Sequence, residues 1–91
     1  MNEHLIIREA TINDVSDIYK IEKQVFKNEN WSLEMLITEL NNQNDRKTLI
    51  IVKVNEVVAY CMTRKFENEI HIINMAVKSS IQGRGYGKIL L

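Results

Sequence analysis

A glycine-rich segment near the end of the chain has the residue types best suited to chemistry. It has three glycines at alternate positions and reads Gln82-Gly83-Arg84-Gly85-Tyr86-Gly87-Lys88. Because glycine has no Cβ, a ligand can approach the backbone amides of such a segment closely. A helix that begins here adds unpaired N–H groups and the positive end of its dipole, and Arg84 and Lys88 add positive charge. The segment therefore predicts a site for an anion such as a diphosphate.

Two common phosphate-binding loops do not fit this spacing. A P-loop has four residues between its glycines and a Ser or Thr after the Lys, whereas Ile89 follows Lys88 here. A dinucleotide-binding loop has the pattern G-x-G-x-x-G and opens a helix that leads to a parallel strand. This chain has G-x-G-x-G after a run of predicted antiparallel strands. Binding of a nucleotide or phosphate in another way is kept as an alternative.

The segment resembles the acyl-CoA-binding signature of the GNAT N-acetyltransferase superfamily, Q/R-x-x-G-x-G/A. Gln82, Gly85 and Gly87 occupy its fixed positions, and the preceding Ile-Asn-Met-Ala-Val at 73–77 is similar to that family's fourth strand. A second stretch is similar to the pattern IE…F…PWS…EL of RimI-type protein N-terminal acetyltransferases, with Asn30 where that pattern has Pro. Its matching residues are Ile21, Glu22, Phe26, Trp31, Ser32, Glu34, Glu39 and Leu40. The resemblance covers essentially all of residues 1–91, as the N-terminal part of a single GNAT domain.

The resemblance implies an acetyl-CoA-dependent N-acetyltransferase. It assigns the pantetheine arm and thioester to the backbone of Met75, Ala76 and Val77. It assigns the diphosphate to Gly83, Arg84, Gly85, Tyr86, Gly87 and Lys88. The acceptor would be a protein or peptide N-terminus, such as that of a ribosomal protein, and no metal is required. A neutral amine would attack the thioester directly, with a general base and a general acid to move the protons. In RimI-type enzymes the base is a Glu on the fifth strand and the acid is a Tyr beyond it. The catalytic residues are therefore expected beyond Leu91, and the 91 residues alone are expected to be inactive.

Several features have a second interpretation. The chain could be a non-catalytic acyl-CoA-binding or interaction module that keeps the ligand loop and lacks the catalytic C-terminal part. Trp31 and Tyr19 could line a peptide site or belong to the core. Glu69 and His71 could supply a substitute base, although such residues are common on surfaces without any role.

Hydrophobic periodicity predicts the elements that would position these residues. Residues 5–9 form a short strand, Thr11 and Asp14 a capping box, and apolar residues then recur at helical spacing over 12–26. Ser32 is a suitable N-cap for a second helix over 33–40. Strands at 48–54, 57–63 and 70–77 are separated by turns at 55–56 and 67–68, and a helix begins at 86. The order β-α-α-β-β-β-α predicts an α/β fold (α+β, with a mixed sheet) of the GNAT type, truncated after the start of the helix that follows the fourth strand.

Length and composition exclude several classes of protein. Ninety-one residues allow one domain, and 12 Lys+Arg against 12 Asp+Glu disfavour a basic nucleic-acid binder. A single Cys, Cys61, excludes a disulfide framework within the chain and is predicted to be a small core residue. The chain has no apolar run long enough for a membrane span and no signal peptide at its start, so a cytoplasmic protein is expected. Ile89-Leu90-Leu91 has no C-cap, so the last helix is expected to be cut short. The apolar strand 70–77 is then expected to be an exposed edge of the sheet, through which the chain could self-associate.

Overall fold

Residues 4–41 and 44–82 are described by the structure, which is a computed structural model. They form a four-stranded antiparallel sheet in which the strands follow one another in chain order. The elements are β1 (Leu5–Glu9), α1 (Val15–Phe26), α2 (Leu33–Asn41), β2 (Arg46–Lys53), β3 (Glu56–Phe66) and β4 (Glu69–Val77), with 3₁₀ turns at Ile12–Asp14, Lys27–Glu29 and Ser79–Ile81. The predicted order is confirmed as far as β4, whereas the helix predicted from residue 86 lies outside the described residues. Within the described ranges, neither helix is long and apolar enough to cross a membrane.

Local capping residues determine where the helical segments begin. The Thr11 hydroxyl accepts a hydrogen bond from a backbone N–H two residues on, and Asp14 Oδ2 accepts one from the Thr11 N–H at 2.8 Å. These two bonds complete the predicted capping box. Ser32 Oγ accepts from the Met35 N–H at 3.1 Å, as expected of the N-cap of α2.

The two faces of the sheet have separate apolar clusters, because side chains alternate along each strand. The face toward α1 and α2 has the larger cluster, which includes Ile18, Ile21, Leu36, Leu40, Ile50, Tyr60, Met62 and Ala76. The opposite face has a smaller one, formed by Ile51, Val58, Ala59 and Cys61 with Met75 and Val77 packed against it. Cys61 is buried as predicted, and burial raises the pKa of its thiol. That direction suits a core residue and disfavours a nucleophile.

The turn between β2 and β3 lies one residue earlier than the sequence predicts. Val54 and Asn55 have φ angles of 48° and 64°, which are typical of a two-residue hairpin turn. The prediction placed this turn at 55–56 and is wrong by one residue, because Glu56 already pairs with Lys53.

Strand β4 has an irregularity in its middle. Asn74 lies opposite Met62 and Ile72 lies opposite Thr63, so Ile73 is the extra residue of a β-bulge. Within the described part of the chain β4 is also an edge strand, and its first half is exposed, with Ile70 73% and Ile72 49% accessible to solvent. The second half of β4, after the bulge, is the part that contacts the helices.

Candidate functional site

The predicted thioester-binding residues form the last three positions of β4. Met75, Ala76 and Val77 lie opposite Cys61, Tyr60 and Ala59 of β3. Since β3 occupies one edge of β4 and no described strand occupies the other, backbone groups along that second edge can pair with a ligand that has amide groups of its own. Such pairing is the chemistry that a pantetheine arm requires.

Hydrogen bonds join the chain after β4 to the rest of the fold. The Lys78 N–H donates to the Val58 carbonyl at 2.8 Å, and the Ser79 N–H donates to Gln24 Oε1 of α1 at 3.0 Å. Gln82 Nε2 donates to the Val77 carbonyl at 2.9 Å. Gln82, the first fixed position of the signature, therefore fixes the start of the glycine segment against the end of β4. The predicted diphosphate-binding residues 83–88 themselves lie outside the described residues.

A cleft of about 440 Å³ opens between α1 and the start of β3, beside Lys78. Its described lining includes two acidic side chains, Asp17 and Glu56, and two basic ones, Lys20 and Lys78. Lys78 is ion-paired with Glu56. Among the described lining residues the charges therefore balance, and these residues give the cleft no net positive charge that would favour a diphosphate.

A buried carboxylate lies directly beneath the end of β4. Glu22 of α1 is 1% exposed, and its Oε1 accepts hydrogen bonds from the Tyr60 hydroxyl and from Asn74 Nδ2, the latter at 2.7 Å. Glu22 Oε2 accepts from the Trp31 N–H at 2.8 Å. Burial, together with the hydrogen bond to Glu22, raises the pKa of the Tyr60 hydroxyl, so Tyr60 stays protonated and remains a donor. Four segments of the chain thus meet at one side chain, which we call the Glu22 network (Glu22, Trp31, Tyr60 and Asn74).

Sequence reasoning quoted Glu22 only as part of the RimI-type pattern and gave it no role. A signal was present, because Glu22 continues the apolar stripe of α1 one turn after Ile18. A charged residue in such a stripe must be buried with partners or break the helix packing. However, Tyr60 lies 38 residues and Asn74 lies 52 residues after Glu22 in the chain, so no local sequence pattern identifies them as its partners.

A second buried carboxylate, Glu39 of α2, lies elsewhere in the fold. Arg64 Nη2 donates to Glu39 Oε1 at 2.7 Å and Arg46 Nη1 donates to the same oxygen at 3.1 Å. Beside these groups is a shallow hollow of about 510 Å³, lined in addition by Trp31, Ser32, Glu34, Met35 and Thr38. Through these contacts Glu39 joins α2 to β2 and β3, at the end of the sheet that is away from Ala76.

The residues whose roles the sequence left open occupy three different places. Trp31 is half-buried, packs against the core and also lines the hollow, so both of its predicted roles are compatible with its position. Tyr19 packs against the core, with the Lys23 ammonium 4.4 Å from its ring centroid. His71 Nε2 and Glu69 Oε2 are 3.0 Å apart and exposed at the first end of β4. Since a strand rises about 3.3 Å per residue, His71 is roughly 16 Å from Ala76, and the structure does not bring this pair to the predicted thioester.

With this geometry in place, comparisons with known proteins identify the fold and the family. The family model described as the acetyltransferase (GNAT) family matches residues 12–91. A [ribosomal protein bS18]-alanine N-acetyltransferase of Haemophilus influenzae is 30% identical over 87 residues, which cover 94% of this chain and 57% of that protein. The chain therefore spans little more than half the length of this curated relative.

Two solved structures share the architecture. The ribosomal-protein-S18-alanine N-acetyltransferase of Escherichia coli superposes with a TM-score of 0.85 at 21% identity, over 96% of this chain and 54% of that one. The PaiA N-acetyltransferase of Thermoplasma acidophilum, solved in complex with coenzyme A, also gives a TM-score of 0.85, at 16% identity, over 96% of this chain and 67% of that one. At these identities the likeness shows the fold, and the predicted GNAT fold is confirmed. The alternative of a non-catalytic binding module is not favoured by these comparisons.

Proposed function

The chain belongs to the GNAT acetyltransferase family, and we propose that it acts in transfer of the acetyl group of acetyl-CoA to the α-amino group at the N-terminus of a protein. The family match over residues 12–91 is the observation that carries this proposal. The acceptor class follows the Haemophilus influenzae relative, whose name gives an alanine of ribosomal protein bS18 as the acetylated residue. A ribosomal protein is accordingly the acceptor that we propose to test first, and the reaction is assigned to the cytoplasm.

The proposed reaction replaces the C–S bond of the thioester by a C–N bond and moves one proton. The neutral amine attacks the thioester carbonyl, the new C–N bond forms and the C–S bond breaks, while the attacking nitrogen loses a proton and the thiolate of CoA takes one up. In this chain the backbone of residues 75–77 would hold the pantetheine arm and orient the thioester, and residues 83–88 would bind the diphosphate. An ammonium must lose a proton before it can attack, and a thiolate leaves more easily when an acid protonates it. We assign neither role to a described residue.

The test is acetyl transfer from labelled acetyl-CoA to peptides with a free N-terminal alanine. Label on the free peptide, and none on the same peptide with its N-terminus already blocked, would support the proposal, because the proposed nucleophile is the α-amine. It would also show that the 91 residues alone are active. Binding of CoA without any transfer would support the non-catalytic module instead. Displacement of CoA by nucleotides that have no pantetheine arm would support the nucleotide-binding alternative.

A further inference from the structure

We propose that Glu22 is a positioning residue that holds the end of β4, through Asn74, at a fixed place against α1 and the start of α2. This role rests on the proposed function, because the exact place of residues 75–77 matters to the reaction only if they hold a thioester. The structure supports it through the chemistry of the Glu22 network, the location of Asn74 in β4, and a contrast with Glu39.

The chemistry of the network requires a carboxylate. Glu22 offers two oxygens, and three separate groups donate to them: the Tyr60 hydroxyl, Asn74 Nδ2 and the Trp31 N–H. An amide or a protonated carboxyl in the same place would present a hydrogen toward one of these donors. A buried donor that loses its acceptor costs the full penalty of its desolvation. Glutamate is therefore the residue of this length that can hold all three partners together.

Asn74 is placed where β4 needs to be held. It directly follows Ile73, the bulged residue, and a bulge locally disrupts the ladder between strands. Two residues further on is Ala76, on the same face of the sheet, and the cross-strand partner of Ala76 is Tyr60. The Glu22 network thus holds both strands of the ladder at the predicted thioester segment. Misplacement of a bound reactant by about 1 Å can cost about a hundredfold in rate, so this restraint would act on turnover more than on binding.

Glu39 provides a matched control within the same chain. It is 3% exposed and is also on a helix that packs against the sheet, but its partners are the guanidinium groups of Arg46 and Arg64. Arg64 lies opposite His71, at the other end of β4 from residues 74–77. Substitution of Glu39 by Gln therefore perturbs a carboxylate of similar burial without touching the predicted thioester segment.

The experiment compares E22Q and E39Q in the full chain. For both variants we measure thermal unfolding, the dissociation constant for acetyl-CoA, kcat and KM for the peptide, and amide hydrogen exchange at residues 74–77. For E22Q we expect kcat to fall at least about tenfold while the acetyl-CoA dissociation constant stays within roughly threefold, and exchange at 74–77 to accelerate. For E39Q we expect kcat and exchange at 74–77 to stay within roughly threefold of the parent chain, whatever its loss of stability.

A double variant tests the same contact by restoring it. E22Q/N74D exchanges the amide and the carboxylate between α1 and β4, so that a donor again faces an acceptor at the same net charge. We expect it to recover part of the slow exchange and of kcat relative to E22Q, because the contact between residues 22 and 74 is restored while the Tyr60 hydroxyl faces an amide in place of a carboxylate. If E22Q does not fold, Y60F takes its place, because it keeps the ring and removes one donor from the network.

Three results would overturn the proposal. The first is a folded E22Q in which kcat and the exchange at residues 74–77 are both unchanged. The second is an equal loss of kcat in E22Q and E39Q that follows their losses of stability. The third applies if E22Q does not fold: a folded Y60F in which kcat and exchange are both unchanged. A parent chain that does not bind acetyl-CoA would instead count against the proposed function. In that case hydrogen exchange still decides whether Glu22 holds β4, because this measurement does not depend on activity.

Discussion

At the scale of single residues, the two buried glutamates differ in how their charge is compensated. The Glu22 carboxylate is met by three uncharged donors, whereas the Glu39 carboxylate is met by two guanidinium groups. An ion pair with partly exposed arginines can rearrange with solvent, but neutral donors around a carboxylate that is itself buried have less such freedom. The enclosed network therefore fixes geometry more strictly, which is what a strand that orients a substrate requires.

The glycine segment leads to a prediction for one residue. In the chain as given, Gly85→Val is expected to weaken CoA binding by about a hundredfold or more, which corresponds to about 3 kcal/mol, because a branched side chain would occupy the space of the diphosphate. Isothermal titration with CoA measures this effect. Lys88→Ala is the control, since the loss of a single cation should cost less than about 1 kcal/mol and should be screened by salt. Unchanged CoA affinity in the Gly85 variant would remove the main support for this segment as the diphosphate site.

At the scale of elements, the sequence predicts best what neighbouring residues decide. The capping box at Thr11, the N-cap at Ser32 and the three strands of the meander depend on contacts within a few residues, and all are confirmed. The turn between β2 and β3 was misplaced by one residue because two positions with positive φ, Val54 and Asn55, do not include a glycine that would mark them. The Glu22 network could not be predicted, because its donors come from three segments that are brought together only by the folded sheet.

The junction of β1 with the helical segment leads to a prediction of pH dependence. The Arg8 guanidinium donates to both carboxylate oxygens of Asp14, at 2.8 and 2.9 Å, and this hydrogen bonding lowers the pKa of Asp14 below its usual value. Because the folded-state pKa is the lower one, the stabilisation is complete above the unfolded pKa of about 4 and is lost as the pH falls through the folded pKa. Asp14→Asn should therefore reduce the free energy of unfolding at pH 7 by about 1 kcal/mol, a small value because Arg8 is nearly half exposed.

Urea unfolding between pH 3 and pH 7 measures this effect. Relative to the parent chain, the Asp14 variant should lose less stability on acidification, so that the two curves converge at low pH. Asp17→Asn, in the exposed first turn of α1, is the matched control, and its free energy of unfolding should fall on acidification as that of the parent chain does. Parallel curves for the Asp14 variant and the parent would show that the Arg8–Asp14 pair contributes nothing to the pH dependence.

At the scale of the whole molecule, the edge formed by β4 determines how copies of the chain should behave. Edge strands are normally protected by Lys, Pro or a covering element, but residues 70–77 include neither Lys nor Pro. Ile70 exposes most of its surface and Ile72 about half, and no described strand pairs with the free side of β4. A second copy of the chain could satisfy both the unpaired backbone groups and the exposed side chains.

We therefore expect the 91-residue chain to self-associate through β4. Light scattering over a range of concentrations should give a mass above 10.7 kDa, and Ile72→Lys should return it to the monomer value because a charge on the edge opposes pairing. Ile6→Lys, on the exposed edge strand β1, is the matched control and should leave the association unchanged, so that the two variants identify which edge pairs. A parent chain that stays monomeric over the same range of concentrations would contradict this expectation.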